Sequence, residues 1–232
     1  MMTRIVYAAL LLLASGVREG GVAAVSMQRG DLEPVLAAMD QSAENFRSAQ
    51  ADVEVTQYQK VVNDTDVQKG QIYFRRTNRG MEVALHIAPP DSKQVVVREG
   101  KLRMYQPRIN TITERELGAD KAVVESFMSL GFGGHGHELT KSYDVAMDGW
   151  ETLDGVKTAR LELTPKSPKA RNLFSKIILW TDPRADVLVK QQMFEPSGDY
   201  RLAHYTNIRL NAKVAEEEFK IKAASGAKTV QQ

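Results

Sequence analysis

The chain contains no cysteine, so no disulfide framework, thiol nucleophile or cysteine-based metal site is open to it. At 232 residues it is long enough to bury a substantial core without such staples, and one domain is the expectation. It also lacks an excess of charge of one sign. Lys and Arg number 31 against 29 Asp and Glu, for a net charge of +2. Charges so balanced and dispersed give no concentrated basic surface, which argues against a nucleic-acid partner. Catalytic signatures are missing as well: there is no G-x-S-x-G elbow, no P-loop and no HExxH helix, and enzyme activity is not expected. No apolar run is long enough for a stable membrane span. The longest, Ile5–Ala14, is about ten residues, and about 20 are needed.

That run has another meaning. A short basic start (Met1-Met2-Thr3-Arg4), the apolar run and the small residues Val22-Ala23-Ala24 have the order of a cleavable export signal. Cleavage is expected after Ala24, leaving residues 25–232 as an exported chain. Loss of Arg4, Arg18 and Glu19 with the signal takes the net charge to +1.

What is present is strand pattern. Met81, Val83, Leu85 and Ile87 alternate with Glu82, Ala84, His86 and Ala88, the period of a sheet with one buried face. Val95-Val96-Val97 turns at Glu99-Gly100 into Leu102 and Met104, which reads as a hairpin. Strands are predicted over residues 51–62, 66–76, 80–88, 93–98, 101–106 and 109–117. More follow around Tyr143–Met147, Ala159–Leu163 and Ile177–Thr181, then in a hairpin from Val187 to His204 turning at Pro196–Asp199, and over 201–210. Two helices interrupt them. Asp31 is placed to cap the first, to about Ala49, with Leu32, Val35, Leu36, Met39, Ala43 and Phe46 as its apolar stripe. The second, near 120–130, carries Val123, Val124, Phe127 and Met128 on one side. The tail from Ala223 is small and polar, and is predicted to be loose.

A sheet of about ten or more strands cannot stay flat, because neighbouring strands twist by roughly 20–25°. The predicted fold is therefore α+β and mostly β: an incomplete, strongly curved antiparallel β-barrel covered by amphipathic helices. Its concave face would be apolar. Met81, Val83, Leu85, Ile87, Leu102 and Met104, with Val124, Phe127 and Met128 from the second helix, are the candidate lining of a ligand cavity. Methionine suits a wall that adapts to a flexible apolar guest. The segment Gly131–Glu138, GFGGHGHE, offers His135, His137 and Glu138 as candidate ligands of a metal such as zinc. No third, distant His is signposted, since His86 and His204 sit in separate strands, so the segment reads as a glycine-rich lid linker, and neither a metal nor another cofactor is expected.

The order of several short motifs resembles the LolA-like family of periplasmic carriers and outer-membrane lipoprotein-sorting proteins. They are Asn45-Phe46 before the strand Ala51–Gln59, then Gly70-Gln71-Ile72-Tyr73-Phe74-Arg75-Arg76, then Val97-Arg98-Glu99-Gly100-Lys101 with Tyr105-Gln106-Pro107. Leu163-Thr164-Pro165-Lys166, the strand pair Ile177–Thr181 and Val187–Phe194, and Thr206–Asn211 with Phe219 continue the likeness. Thr77 stands where the family has Pro, and Arg103 lies near the place of its usual Trp. The resemblance implies a periplasmic carrier, monomeric, taking acylated lipoprotein or other lipid cargo from an inner-membrane donor complex to an outer-membrane acceptor. It also implies that Arg76 holds the lid closed. Arg75 is the adjacent alternative, since a one-residue slip swaps faces. A periplasmic sensor of mislocalised lipoprotein, built on the same fold, is the alternative function.

Overall fold

The computed structural model describes residues 32–118, 124, 130, 132–185 and 187–231. In chain order these form α1 (Leu32–Asn45), β1 (Ser48–Gln59), β2 (Asp64–Thr77), β3 (Gly80–Ile87), β4 (Lys93–Arg98), β5 (Lys101–Gln106) and β6 (Thr111–Glu116). Then come α2 (Gly136–Ser142), β7 (Tyr143–Leu153), β8 (Val156–Pro165), α3 (Pro168–Arg171), β9 (Lys176–Asp182), β10 (Val187–Phe194), β11 (Tyr200–Leu210) and β12 (Lys228–Gln231). All twelve strands join one open sheet in the order β12-β6-β5-β4-β3-β2-β1-β11-β10-β9-β8-β7. It is the unclosed, mostly antiparallel architecture that the strand pattern implies. No described helix is long and apolar enough to cross a membrane.

The sheet is built from hairpins, with two long-range pairings, β1 with β11 and β12 with β6. The β4–β5 turn shows how local chemistry sets register. Glu99 (φ 54°) and Gly100 (φ 78°) are both left-handed, the geometry a two-residue hairpin loop needs to match strand twist. That turn pairs Val97 with Leu102 and Val95 with Met104.

α1 lies on one face of the sheet and buries Val35, Leu36, Met39 and Ala43, the stripe expected from its 3.6-residue period. It ends at Asn45, earlier than the expected Ala49. Phe46 leaves the helix to enter the core, and Ser48–Gln50 are taken up by β1, which bonds β2 and β11 on either side. Asp31, the expected cap, lies outside the described residues. The main core sits between α1 and the strands, with Phe46, Phe132, Leu161, Leu163, Ile177, Leu179 and Leu188 fully enclosed.

Three sequence expectations are corrected. The sheet has two covered faces, not one. On the side away from α1, Tyr73, Ala84 and Val96 are buried under Phe219, with Val214 and Ile221 beside it. Glu82 and Ala84, read as the polar face of β3, are therefore more enclosed than Met81, Val83 and Leu85. The tail is not loose throughout either, because Lys228–Gln231 adds a parallel strand to β6. Nor is Gly131–Glu138 simply a linker: its last three residues open α2. The reason is packing, since Gly136 lies so close to α1 that a Cβ there would stand 2.4 Å from the Leu36 carbonyl oxygen.

Candidate functional site

Side-chain parity along paired strands assembles the concave wall row by row. Phe74 pairs with Val83, Val83 with Val97, and Val97 with Leu102. One row along, Ile72 pairs with Leu85, Leu85 with Val95, and Val95 with Met104. Phe74 and Ile72 belong to the main core, while Val83, Leu85, Val95, Val97, Leu102 and Met104 are only half-buried. Met81 is half-buried opposite Arg76, and Ile87 is buried opposite Gly70 and Lys93. Of the candidate helix residues, Val124 is helical and half-buried. Phe127 and Met128 lie outside the described residues. Val95, Val97, Ile72 and Phe74 are not in the candidate lining, because Val95-Val96-Val97 and Ile72-Tyr73-Phe74 are unbroken apolar runs in which no alternation picks out one face.

Arg76 closes one end of this wall. Its Nη1 donates to the carbonyl of Ala43 at 2.7 Å, in the last turn of α1, and its Nη2 donates to the carbonyl of Gly133. The guanidinium also lies 5.4 Å over the Phe46 ring. A single side chain on β2 thus ties together the end of α1 and the segment leading into α2. Carbonyls at a helix end have no partner within the helix, so they are free to accept such a bond. Gly133 is required here twice over. Its φ is +70°, and a Cβ would stand 2.3 Å from the Phe46 ring. Beside it Phe132 is fully enclosed, stacked on Phe74 with ring centroids 4.6 Å apart and edge-on to Tyr205 at 5.3 Å. Sequence reasoning missed Phe132 because one aromatic in a glycine run has no periodicity.

Arg75 points the other way. Its Nε donates to Glu82 at 3.1 Å and its Nη1 to Glu216 at 2.7 Å, with the guanidinium 4.1 Å over the Phe219 ring. Arg98 completes the set, with its Nε 3.1 Å from Glu82 and its Nη1 bonded to Glu216. Hydrogen bonds from Arg98 and Arg75 hold the Glu216 carboxyl down at about 2. This four-residue network clasps the chain near Glu216–Phe219 onto the far face of the sheet. It takes no part in the concave wall.

His137 is engaged with α1. Its amide donates to Asp40 Oδ1 at 3.1 Å, its Nδ1 faces Asp40 Oδ2, and its Nε2 lies 3.0 Å from Glu33 Oε1. His135 Nδ1 stands 3.8 Å from the same Asp40. The Asp40 and Glu33 hydrogen bonds raise the His137 imidazole above its ordinary value. Partial burial pushes the Asp40 carboxyl up, but the hydrogen bonds from His137 outweigh it and leave that group low. Among the described residues no group of three or more His, Asp and Glu is arranged to hold a metal ion. The pair acts as a polar latch between α2 and α1.

Among the described residues the wall presents apolar side chains and carries no nucleophile or acid–base pair. A family model described as outer membrane lipoprotein carrier protein LolA matches residues 44–222. Among solved structures, an uncharacterized conserved protein from Thermus thermophilus is similar, with 11% identity, a TM-score of 0.54, and coverage of 86% of this chain and 98% of that one. MucB is similar at 14% identity and a TM-score of 0.52, the match covering 83% of this chain and 63% of MucB. A LolA superfamily protein from Nitrosomonas europaea matches with 13% identity and a TM-score of 0.40, over 82% of this chain and 97% of that one. At such identities the likeness to the first two is one of fold alone. No curated protein matches the chain.

Proposed function

This chain belongs to the LolA family of outer membrane lipoprotein carriers, and from that premise we propose that it is a periplasmic carrier of acylated cargo. It would shield the acyl chains of lipoproteins, or of related lipids, between donor and acceptor membranes. The observation that carries this reading is the concave wall itself. Val83, Leu85, Val95, Val97, Leu102 and Met104 form a continuous apolar surface that the described residues leave half-buried. Apolar side chains left partly in water are a standing driving force for a guest, about 0.8 kcal/mol for each CH₂ that it buries.

Release needs a counterweight, since several acyl chains buried on that scale would not leave unaided. Arg76 supplies one. By holding the carbonyls of Ala43 and Gly133 it stabilises the closed arrangement of α1 and the Phe132–Gly133 segment against the wall. Closure competes with cargo, so the net affinity falls and the guest can pass to a stronger acceptor. The Ile5–Ala14 signal pattern supports the periplasmic assignment.

The test is mass spectrometry of organic extracts from protein purified out of its native periplasm. Co-purified lipoprotein or lipid, lost in the Leu85→Arg variant, is the expected outcome. Protein that is free of lipid and transfers no acylated peptide between membranes in vitro would defeat the reading.

A further inference from the structure

The concave wall changes character within one row. Beyond Ile72, Leu85 and Val95 the next residues on the same face are Gly70, Ile87 and Lys93, in register across β2, β3 and β4. This is the end of the sheet opposite Arg76. A cavity of about 820 Å³ opens there, lined by Gln68, Lys93, Gln106 and Arg108 with the loop residues between them. Gln68 shares the face of Ile72 and Phe74, two and three rungs away along β2, so the cavity continues the apolar wall.

Its cations differ from most of those on the neighbouring strands and turns. On the same strands and turns Lys69, Arg75, Arg79, Arg98, Lys101 and Arg103 each meet a carboxylate. Lys93 and Arg108 meet none among the described residues, and Asp91 is the one acid in the lining. Lys93 is half-buried and Arg108 exposed, and both lie on the lining of the cavity. Gln68 adds a complementary feature. Its Nε2 donates to Asp66 at 2.8 Å, while its Oε1 is shielded from solvent and receives no donor. Two unpaired cations beside an unsatisfied acceptor suit an anionic group that carries a hydroxyl or ammonium close by.

We infer that this end of the wall binds the phosphate-bearing head of a glycerophospholipid whose acyl chain lies along β3, β4 and β5. Lys93 and Arg108 neutralise the phosphate, and Gln68 accepts from the head's donor. The inference rests on the carrier reading above and narrows its cargo: a neutral acyl lipid would leave both cations unanswered.

The test compares two amphiphiles with one chain, palmitoyl lysophosphatidylglycerol and monopalmitoylglycerol, each displacing a hydrophobic fluorophore from the full chain. The phosphate-bearing lipid should bind about tenfold more tightly. The double variant Lys93→Gln/Arg108→Gln should lose that preference and keep its affinity for monopalmitoylglycerol, which also shows that it is folded. Equal affinities in the unaltered protein, or a preference that survives in the double variant, would overturn the headgroup site while leaving the carrier reading intact. Binding of neither amphiphile would overturn both. Inorganic phosphate is the third arm. If it alone raised the thermal midpoint as much as the lysolipid, and the double variant abolished that rise, the site would be one for free anions and the lipid assignment would fail.

Discussion

The two halves of the sheet are made of equally regular antiparallel strands, yet one is filled and the other is not. In β8, β9 and β10 the residues facing α1, among them Leu161, Leu163, Ile177, Leu179 and Leu188, are fully enclosed. In β3, β4 and β5 the residues facing the same way, Val83, Leu85, Val95, Val97, Leu102 and Met104, stay half-buried. Strand pattern is alike in both, so alternation alone does not say which apolar face is core and which is binding surface. The difference lies in what lies over each half. Val35 and Met39 of α1 join the first in one buried cluster, completing a close-packed interior.

Charge reversal of this comparison should have the largest effect. Leu179→Arg would bury an unpaired guanidinium at a fully enclosed position, and no folded protein is expected on purification. Leu85→Arg, on the same face in the open half, should fold and show a cooperative melt, but lose hydrophobic fluorophore binding. If both variants fail to fold, the two halves are equally core. Cavity-making substitutions sharpen the same point at lower amplitude. Leu161→Ala should lose about 3 kcal/mol in denaturant unfolding. Leu102→Ala, with less contact to forfeit, should lose less than about 1 kcal/mol.

The neighbouring arginines give the next contrast. Arg76→Leu removes two charge-assisted bonds, to Ala43 and Gly133, worth about 1.5–3 kcal/mol each. Cargo handover from a loaded carrier to acceptor vesicles should slow markedly. Arg75→Leu leaves that lock untouched and strips the buried Glu82 of one of its two partners, at a cost on the order of 2 kcal/mol of stability. Handover should then proceed at the unaltered rate. Slowed transfer in Arg75→Leu with normal transfer in Arg76→Leu would reverse the assignment of faces.

The smallest effects should come from pH, and they differ between the faces. Glu216 is held at about 2, so its contribution is present above its ordinary 4.5 and is lost as pH falls from there toward 2. Amide exchange near Val214–Ile221 should quicken in acid before the core melts. His137 has the opposite sign. With its value raised, the latch to Asp40 and Glu33 is complete below pH 6.5 and weakens as pH climbs through the raised value. The thermal midpoint should therefore decline slightly above neutrality, and the decline should vanish in His137→Ala. A midpoint that rises with pH in this range would contradict the latch.

The Arg75–Arg76 pair shows how far the sequence reaches. Adjacent strand residues must face opposite ways, so the pattern says that one points in and the other out. Which does so depends on where α1 lands. Phe127 and Met128, two of the candidate lining residues, lie outside the described part of the structure and rest on helical periodicity alone. Lys93 and Arg108 could not be singled out in advance, because a cation lacking a carboxylate is recognisable only once every neighbour is in place.

By itself the sequence determined the strands, their hairpin order, the faces that residues share and the stripe of α1, because periods of two and 3.6 are properties of the local backbone. The Glu99-Gly100 turn likewise set the β4–β5 register from two residues. Only the tertiary structure decided the rest. It covered the far face with Phe219, added residues 228–231 to β6 as a parallel strand, carried His137 to Asp40, and left one apolar wall less filled than the other. These contacts join segments up to a hundred or more residues apart in the chain. Their partners are chosen by the shape and charge of the assembled surface, which no local period encodes.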